Sequence, residues 1–325
     1  MEPGRFVSVL VALLTLAANA QAQTYPSRPI SMMVGFPPGG PTDTLARIVA
    51  DGMKSSLGQT IAVETVSGAG GTIATGRVVH ANPDGYTIGI GQWNSHVGSP
   101  AIYPLDYDVL KDLQPLSLLT SSPNWVLGKN GLAPNTAAEL LAWLKGRSDP
   151  ITFGTVGVGS PGHLVGIQLA KATGAHFQFV PYRGAAPMMQ DLIGGQIEMG
   201  CLEASGSLAN VEAGRFKALA VASETRWSKS PDTPTFIELG LPDLSIPFWH
   251  GLWTTKGTPK AVVDRLDTAV MAALADPAVR QRIEGLGQVI FPRDRQNPAA
   301  LAAYNKAEID KWWPIIKALG IKASD

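Results

Sequence analysis

The chain has 325 residues, which is enough for two domains of ordinary size. Its 26 lysines and arginines balance 26 aspartates and glutamates, so it lacks the basic field that attracts nucleic acid or an anionic membrane, and neither is expected as a partner. Only 16% of the residues are charged, while glycine (35) and proline (25) are plentiful. This composition indicates tight loops around a buried framework.

The N-terminus has the three-part pattern of a secretory signal peptide. Arg5 precedes an apolar run over residues 6–18, and small residues follow. A membrane anchor is the alternative, but the run is shorter than the roughly 20 residues that a spanning helix needs. We therefore predict a signal peptide over residues 1–22, cleaved near Ala20 or Ala22. The single cysteine of the chain allows no intrachain disulfide, which favours the periplasm over a eukaryotic secretory route.

Strand and helix patterns alternate after this segment, which predicts parallel α/β layers. The first unit is a strand over residues 32–34, a turn rich in proline and glycine, and a helix up to residue 57 whose apolar residues recur at helical spacing. We expect Thr42 to be the N-cap of this helix and Asp43 to lie in its first turn. The backbone N–H groups at such a helix start suit an anionic ligand.

Two more strands of the first hundred residues end in loops that are candidates for ligand binding. One loop is the glycine turn at residues 67–72 and the other is the polar loop at residues 92–96. In a parallel sheet such loops meet at the carboxyl edge, where ligands bind. A tryptophan beside polar loop residues is typical of the wall of a small-molecule cleft, although core packing is an equal alternative for Trp249. The candidate residues in these loops are Gly71, Trp93, Ser95 and His96.

Residues 157–162 match the dinucleotide-binding pattern G-x-G-x-x-G, between a predicted strand and a predicted helix. About twenty residues later, where an acidic ribose ligand is expected, an arginine could serve a 2′-phosphate. Export argues against a nicotinamide cofactor, and Pro161 removes an N–H from the turn. We therefore expect no cofactor and prefer a second anion-binding helix N-terminus with added side-chain donors. The candidate residues in this half of the chain are Thr155, Gly159, Ser160, His163, Tyr182 and Arg183.

No set of residues for catalysis or metal binding can be recognised. Val158 stands where a hydrolase elbow around Ser160 needs glycine. The five histidines lack metal-ligand spacing. Asp43 and Glu203, the acids at predicted loop edges, fall in different domains. Because no nucleophile, base and orienting group come together, the sequence favours binding over catalysis.

The α/β pattern restarts in the middle of the chain, which predicts two domains. We assign residues 23–124 and 253–325 to the first domain and residues 125–252 to the second. Prolines between residues 231 and 247 indicate an extended passage between them. An amphipathic helix over residues 298–319 is expected to clasp the first domain.

Eight short segments occur in the order found in the substrate-binding proteins of tripartite tricarboxylate transporters, the Bug-type family. The chain resembles this family over essentially its whole length after the signal peptide. The segments are YPSRPI (25–30), FPPGG (36–40) with Asp43, GAGG (68–71), NPDGYT (82–87), VPYRG (180–184), DLIGGQ (191–196), GTP (257–259) and ADP (275–277).

The resemblance implies a type II periplasmic-binding-protein fold, in which two α/β domains joined by two crossover strands close on a carboxylated ligand like a Venus flytrap. It implies a monomer that works with a pair of membrane transporter subunits. It also implies that the loop at residues 155–163 closes on the ligand from the second domain. The ligand carboxylate is expected to meet backbone groups and waters at one turn, where Asp43 orders the turn or a bridging water. The matching residues of that turn are Phe36, Gly39, Gly40 and Asp43.

Two departures from the family pattern bear on the ligand. Leu202 and Glu203 stand where relatives carry an aspartate beside an asparagine, and Trp93 stands where small residues are common. We retain Glu203 as a candidate ligand-binding residue. The loss of a polar partner and the gain of an indole favour a flat ligand, so we hypothesise an aromatic mono- or dicarboxylate such as a phthalate isomer. The alternatives are citrate or another aliphatic di- or tricarboxylate, and a ligand sensor that presents its closed form to a signalling receptor.

Overall fold

Two mixed β-sheets organise the computed structural model, which describes residues 25–323. The predicted signal peptide lies outside the described residues. The sheets divide the described chain into a first lobe and a second lobe, each with helices packed on its sheet. The strands are β1 (Ile30–Val34), β2 (Ile61–Thr65), β3 (Thr87–Gln92), β4 (Leu113–Ser122), β5 (Asn124–Lys129), β6 (Ile151–Thr155), β7 (Phe177–Pro181), β8 (Met199–Glu203), β9 (Phe216–Ala222), β10 (Phe248–Thr255) and β11 (Val289–Ile290).

The helices follow the strands in the alternation that the sequence predicts. None of the described helices is long and apolar enough to cross a membrane. The helices are α1 (Pro41–Leu57), α2 (Thr72–Val79), α3 (Ala137–Lys145), α4 (Pro161–Thr173), α5 (Ala185–Ile193), α6 (Leu208–Glu212), α7 (Lys260–Ala275), α8 (Pro277–Gly285) and α9 (Pro298–Ala318).

The sheet of the first lobe has the strand order β11-β4-β10-β3-β1-β2. Strands β1, β2 and β3 are parallel, with Ile30 opposite Ile61 and Ser31 opposite Thr87. Strand β10 runs antiparallel between β3 and β4. The carboxyl ends of β1 and β3 therefore meet at one edge of the sheet, where the turn before α1 and the loop after β3 begin.

The sheet of the second lobe has the order β7-β6-β8-β5-β9, with β6, β7 and β8 parallel and β5 antiparallel to its neighbours β8 and β9. The chain crosses between lobes twice. Only Pro123 separates β4 from β5, and residues 223–247 lead back from β9 to β10. Because β10 begins at Phe248, the predicted domain boundary at residue 252 falls inside a strand of the first sheet.

Helix α1 carries the turn that the sequence analysis singles out, and its apolar face fixes it to the first lobe. Leu45, Val49 and Met53 lie on that face and are fully buried, and the helix packs on α7 and α8. It ends at Gly58, which adopts a left-handed conformation (φ 70°). The N-terminus differs from the prediction, because the helix begins at Pro41 and Gly40 is the N-cap. Proline at the first helical position is favoured because its φ is already helical.

We expect Leu45→Ala to lower the free energy of unfolding by about 2–5 kcal/mol, because it leaves a cavity under the first turns of α1. Urea denaturation followed by circular dichroism measures this loss. Ile73→Ala is the matched control, since that side chain is 47% exposed and its truncation should change stability by less than about 1 kcal/mol. Equal effects of the two substitutions would contradict the packing described for α1.

Candidate ligand-binding cleft

A small cavity of about 20 Å³ lies between the two lobes. Such a volume holds about one water molecule, so a ligand of several heavy atoms requires the lobes to separate before it enters. Both lobes contribute to the lining. The residues from the first lobe are Phe36, Pro37, Gly40, Pro41, Thr42, Gln92 and Phe248, and those from the second lobe are Val156, Ala185 and Glu203.

The N-terminus of α1 borders this cavity, and no side chain caps it. Asp43 is turned away toward its own turn and its own helix. Its carboxylate accepts a hydrogen bond from the Gly39 N–H (3.0 Å) and pairs with the Arg47 guanidinium (2.9 Å). The N–H groups of Thr42 and Asp43 have no intrahelical acceptor in the first turn. They carry the positive end of the helix dipole at the cavity wall.

The second lobe approaches this turn through glycines that have no room for a side chain. A Cβ atom on Gly184 would lie 2.5 Å from Cδ of Pro37, and a Cβ atom on Gly206 would lie 2.8 Å from Cδ of Pro41. Gly184 is also the N-cap of α5, which lacks a side-chain cap, and the next residue, Ala185, lines the cavity. Two uncapped helix N-termini, one from each lobe, thus border the same cavity.

Glu203, at the end of β8, is the one ionisable residue among those that line the cavity. Its Oε1 accepts hydrogen bonds from the Ser205 hydroxyl (2.6 Å) and from Nε2 of Gln288 (3.1 Å). Its Oε2 is buried without a hydrogen-bond partner among the described residues. Burial raises the pKa of Glu203 to about 8, although the hydroxyls of Ser205 and Ser122 act in the opposite direction.

His250, on β10, faces Glu203 from the first lobe. Its Nε2 lies 4.0 Å from Oε2 of Glu203 and 3.2 Å from the hydroxyl of Thr42. The hydroxyl of Thr120 lies 3.4 Å from the other ring nitrogen. Burial lowers the pKa of His250 to about 3, so the imidazole is neutral at pH 7. This polar cluster therefore joins the two lobes without an ion pair.

The comparison with known proteins identifies the family. The model of the tripartite tricarboxylate transporter family receptor, TctC, matches residues 45–321. The chain belongs to this family. A curated UPF0065 protein from the ttuE-ttuC′ intergenic region of Agrobacterium vitis is 39% identical over 97% of this chain and 92% of that protein. BugT of Bordetella pertussis is 31% identical over 97% of each.

Solved structures of TctC-family relatives have the same architecture. The periplasmic binding protein BugD is 37% identical, with a TM-score of 0.87 over 92% of this chain and 99% of that one. MatC from Rhodopseudomonas palustris, solved with bound malate, is 33% identical, with a TM-score of 0.85 over 90% of this chain and 100% of that one. These neighbours confirm the predicted two-domain periplasmic-binding-protein fold. The chain is a substrate-binding protein and not an enzyme.

The loop after β6 is held by hydrogen bonds within the loop itself. Ser160 caps α4 by accepting a hydrogen bond from the His163 N–H (3.2 Å), and Nδ1 of His163 accepts one from the Gly159 N–H (3.1 Å). The hydroxyl of Thr155 donates to the carbonyl of Gly157 (3.4 Å). None of these residues lines the cavity. These hydrogen bonds hold the Ser160 and His163 side chains within the loop, and the second anion site stays a prediction.

Trp93 is not a cleft wall in the described structure. The side chain is fully buried, its Nε1 donates to Glu308 on α9 (2.9 Å), and its ring packs edge-to-face against Trp312 (5.8 Å between centroids). Trp249 is also fully buried and packs against Tyr304 of the same helix (5.3 Å). Both tryptophans dock the terminal helix on the first lobe, which corrects the expectation for Trp93.

Gly71, Ser95 and His96 lie inside the first lobe, behind the turn before α1. A Cβ atom on Gly71, whose φ is 94°, would lie 3.0 Å from Cζ of Phe36. Ser95 hydrogen-bonds Nδ1 of His96 (2.9 Å), and the imidazole stacks on Trp253 (3.8 Å between centroids). Burial lowers the pKa of His96 to about 3. Gly71 thus lies against Phe36, and none of the three residues lines the cavity between the lobes.

Tyr182 and Arg183 lie just outside the cavity, on the approach to α5. The Tyr182 hydroxyl donates to Asp191 (2.6 Å), and Arg183 is exposed. Neither lines the cavity. Their backbone instead leads the chain to Gly184, where it meets the first lobe.

Several cavity residues are absent from the sequence prediction. Gln92 lies at the carboxyl end of β3, the position that the parallel-sheet rule favours, and its Oε1 is buried without a partner among the described residues. Phe248 opens the return strand β10, and Ala185 opens α5. Their positions depend on how the two lobes meet, which no local pattern reveals. The described residues contain no group of three or more histidine, cysteine, aspartate or glutamate side chains that could hold a metal ion.

We expect Gly39→Val to abolish ligand-induced stabilisation while the protein remains folded. Gly39 has φ 78° and open space around its Cβ position, so the cost of valine is the left-handed backbone and not a clash. The rebuilt turn should displace the Gly39 N–H from Asp43. Gly39→Asn is the matched control, because asparagine tolerates this backbone. Thermal shifts measured with carboxylates should vanish for valine and persist for asparagine.

Proposed function

We propose that this protein captures a small carboxylate between its lobes and delivers it to the membrane subunits of a tripartite tricarboxylate transporter. The observation that carries the proposal is the pair of uncapped helix N-termini, at Gly40 and Gly184, on one cavity. Backbone N–H groups and helix dipoles at such ends favour carboxylates. MatC with malate and a second Rhodopseudomonas palustris relative with adipate, 30% identical with a TM-score of 0.86 over 92% of this chain and 99% of that one, support the same ligand class.

The site works as a clamp in this proposal. When the lobes separate, the first turn of α1 is exposed to solvent and a carboxylate can reach its N–H groups. When the lobes close, the start of α5 covers the ligand from the opposite side. The glycines at positions 184 and 206 let the lobes approach this closely. The closed form is the one that we expect the transporter to recognise.

An aromatic carboxylate, such as benzoate or a phthalate isomer, is the ligand that we propose. Trp93 no longer supports this choice, because its ring belongs to the core. Phe36 and Phe248 support it, since both rings line the cavity. An aromatic pair contributes about 1 kcal/mol beyond burial, which biases a series of ligands toward flat ones. Aliphatic dicarboxylates are the direct competitors.

We further propose that the protein acts as a monomer in the periplasm, after cleavage of the signal peptide near Ala20 or Ala22. BugD, a periplasmic binding protein by title, supports this location.

Thermal-shift measurements with a panel of carboxylates test the proposed ligand class. A ligand that binds the native state raises the free energy of unfolding, by about 2.7 kcal/mol at a concentration one hundred times its Kd. The midpoint temperature of unfolding rises as a result. We expect benzoate or a phthalate isomer to give the largest shift, with malate, adipate and citrate as the comparison set. Stabilisation by the aliphatic acids alone would contradict the aromatic proposal but not carboxylate binding.

We expect Gly184→Ala to weaken binding of the best ligand in that panel by about tenfold or more, because a methyl group there holds the lobes apart. Gly184 has an extended backbone (φ 172°), so alanine fits its conformation and the open form should keep its stability. Isothermal titration calorimetry measures the affinity. Gly285→Ala, where the new Cβ meets nothing within 4 Å, is the control and should bind normally. Unchanged affinity of Gly184→Ala would contradict the clamp.

A further inference from the structure

Glu203 differs from the other residues of the cavity because it can carry a charge. The cavity is otherwise lined by apolar side chains, by neutral polar side chains and by backbone. The one basic side chain that the described residues place within 4.0 Å of its carboxylate is His250. That imidazole lies between the hydroxyls of Thr42 and Thr120, and burial keeps it neutral above pH 3. No cation therefore neutralises an ionised Glu203 at this position.

The two oxygens of Glu203 have different surroundings. Oε1 accepts hydrogen bonds from Ser205 and Gln288. Because it accepts from two donors, Oε1 is the unprotonated oxygen when the carboxyl group carries a proton. Oε2 is buried, has no partner among the described residues and belongs to a residue that lines the cavity. A proton on this carboxyl group therefore belongs on Oε2. Burial favours that protonated form, as the raised pKa of about 8 indicates.

A carboxylate ligand strengthens this preference. Two carboxylates that share a buried site cannot both be ionised without strong repulsion, so one of them keeps a proton. The helix N-termini at the cavity stabilise the ionised form of the ligand. No charged partner stabilises an ionised Glu203 among the described residues, because the facing His250 is neutral. The proton therefore stays on Glu203 and not on the ligand.

We propose that Glu203 binds the ligand as a neutral carboxylic acid, with Oε2–H donating a hydrogen bond to the ligand carboxylate. The inference rests on the proposed function, since it requires an anionic ligand. Where solvent pH has ionised Glu203 in the free protein, binding takes up one proton from solvent. Apart from this proton transfer, binding changes only hydrogen bonds. Glu203 thereby selects for an anion with a free carboxylate oxygen.

Calorimetric titration between pH 6 and pH 9, in pairs of buffers with different ionisation enthalpies, tests this proposal. The probe is whichever of benzoate, phthalate, malate and adipate gives the largest thermal shift. Burial raises the pKa of Glu203 to about 8 in the described closed form, so affinity should be nearly constant from pH 6 to 7 and about tenfold weaker at pH 9. Proton uptake should be near zero at pH 6 and about 0.9 protons per ligand at pH 9.

Glu203→Gln tests whether Glu203 is the residue that takes up the proton. A glutamine keeps an N–H donor toward the ligand and an oxygen acceptor for Ser205 and Gln288. Its affinity should be the same at pH 6 and pH 9, and its proton uptake should be absent. Glu64→Gln, on the exposed face of β2, is the matched control and should keep the wild-type pH profile. If Glu203→Gln does not fold, proton uptake by the wild-type protein still decides the question.

The outcomes separate this inference from the proposed function. Binding without proton uptake at pH 9, or affinity that rises toward pH 9, would overturn the inference and leave carboxylate binding intact. An affinity that rises toward pH 9 would mean that an ionised Glu203 accepts a hydrogen bond from the ligand. Failure of every carboxylate in the panel, citrate included, to bind at any pH would overturn the proposed function and the inference together.

Discussion

The close approach of the second lobe to the first turn of α1 is the constraint on which this structure depends. Pro37 and Pro41 give that turn a rigid surface without N–H groups, and Gly184 and Gly206 meet it without side chains. Asp43 holds the turn from inside through the Gly39 N–H. The two glycines let the backbone of the second lobe meet the proline rings of the first lobe across the cleft. A helix N-terminus can therefore reach a small anion from either side.

Burial keeps the ionisable side chains around the cavity in their neutral forms. Glu203 and His250 face each other across the lobes, yet burial shifts both pKa values toward the neutral forms. Burying an ion pair here would cost several kcal/mol per ion before any attraction is counted. The positive field at the site then comes from peptide dipoles, which need no counterion. In the proposed function, the ligand brings the net charge into the cavity.

The sequence predicts the fold well because the fold follows local patterns. The pattern of apolar residues predicts the strand before residue 36 and the buried face of α1. The family segments extend the prediction of the fold to the whole chain. The contacts of individual side chains leave no such trace. Trp93 lies in a polar loop of the sequence, but its Nε1 donates to Glu308, more than two hundred residues later. Likewise the sequence offers Ser160 as a donor for an anion, while in the structure its hydroxyl caps its own helix. Gly40, and not Thr42, is the N-cap of α1, because Pro41 can begin a helix.

A binding protein that serves a transporter must release its ligand when the lobes open, and a cavity without fixed ionic partners suits that task. A carboxylate held by an arginine would lose a charge-assisted pair on leaving, worth more than a neutral hydrogen bond. In the proposed site the ligand would exchange backbone N–H groups for water once the lobes separate. Closure, and not a strong local contact, then determines affinity, because the same N–H groups bind more strongly where water is excluded. Membrane subunits that pull the lobes apart would thereby lower the affinity for any carboxylate the site accepts.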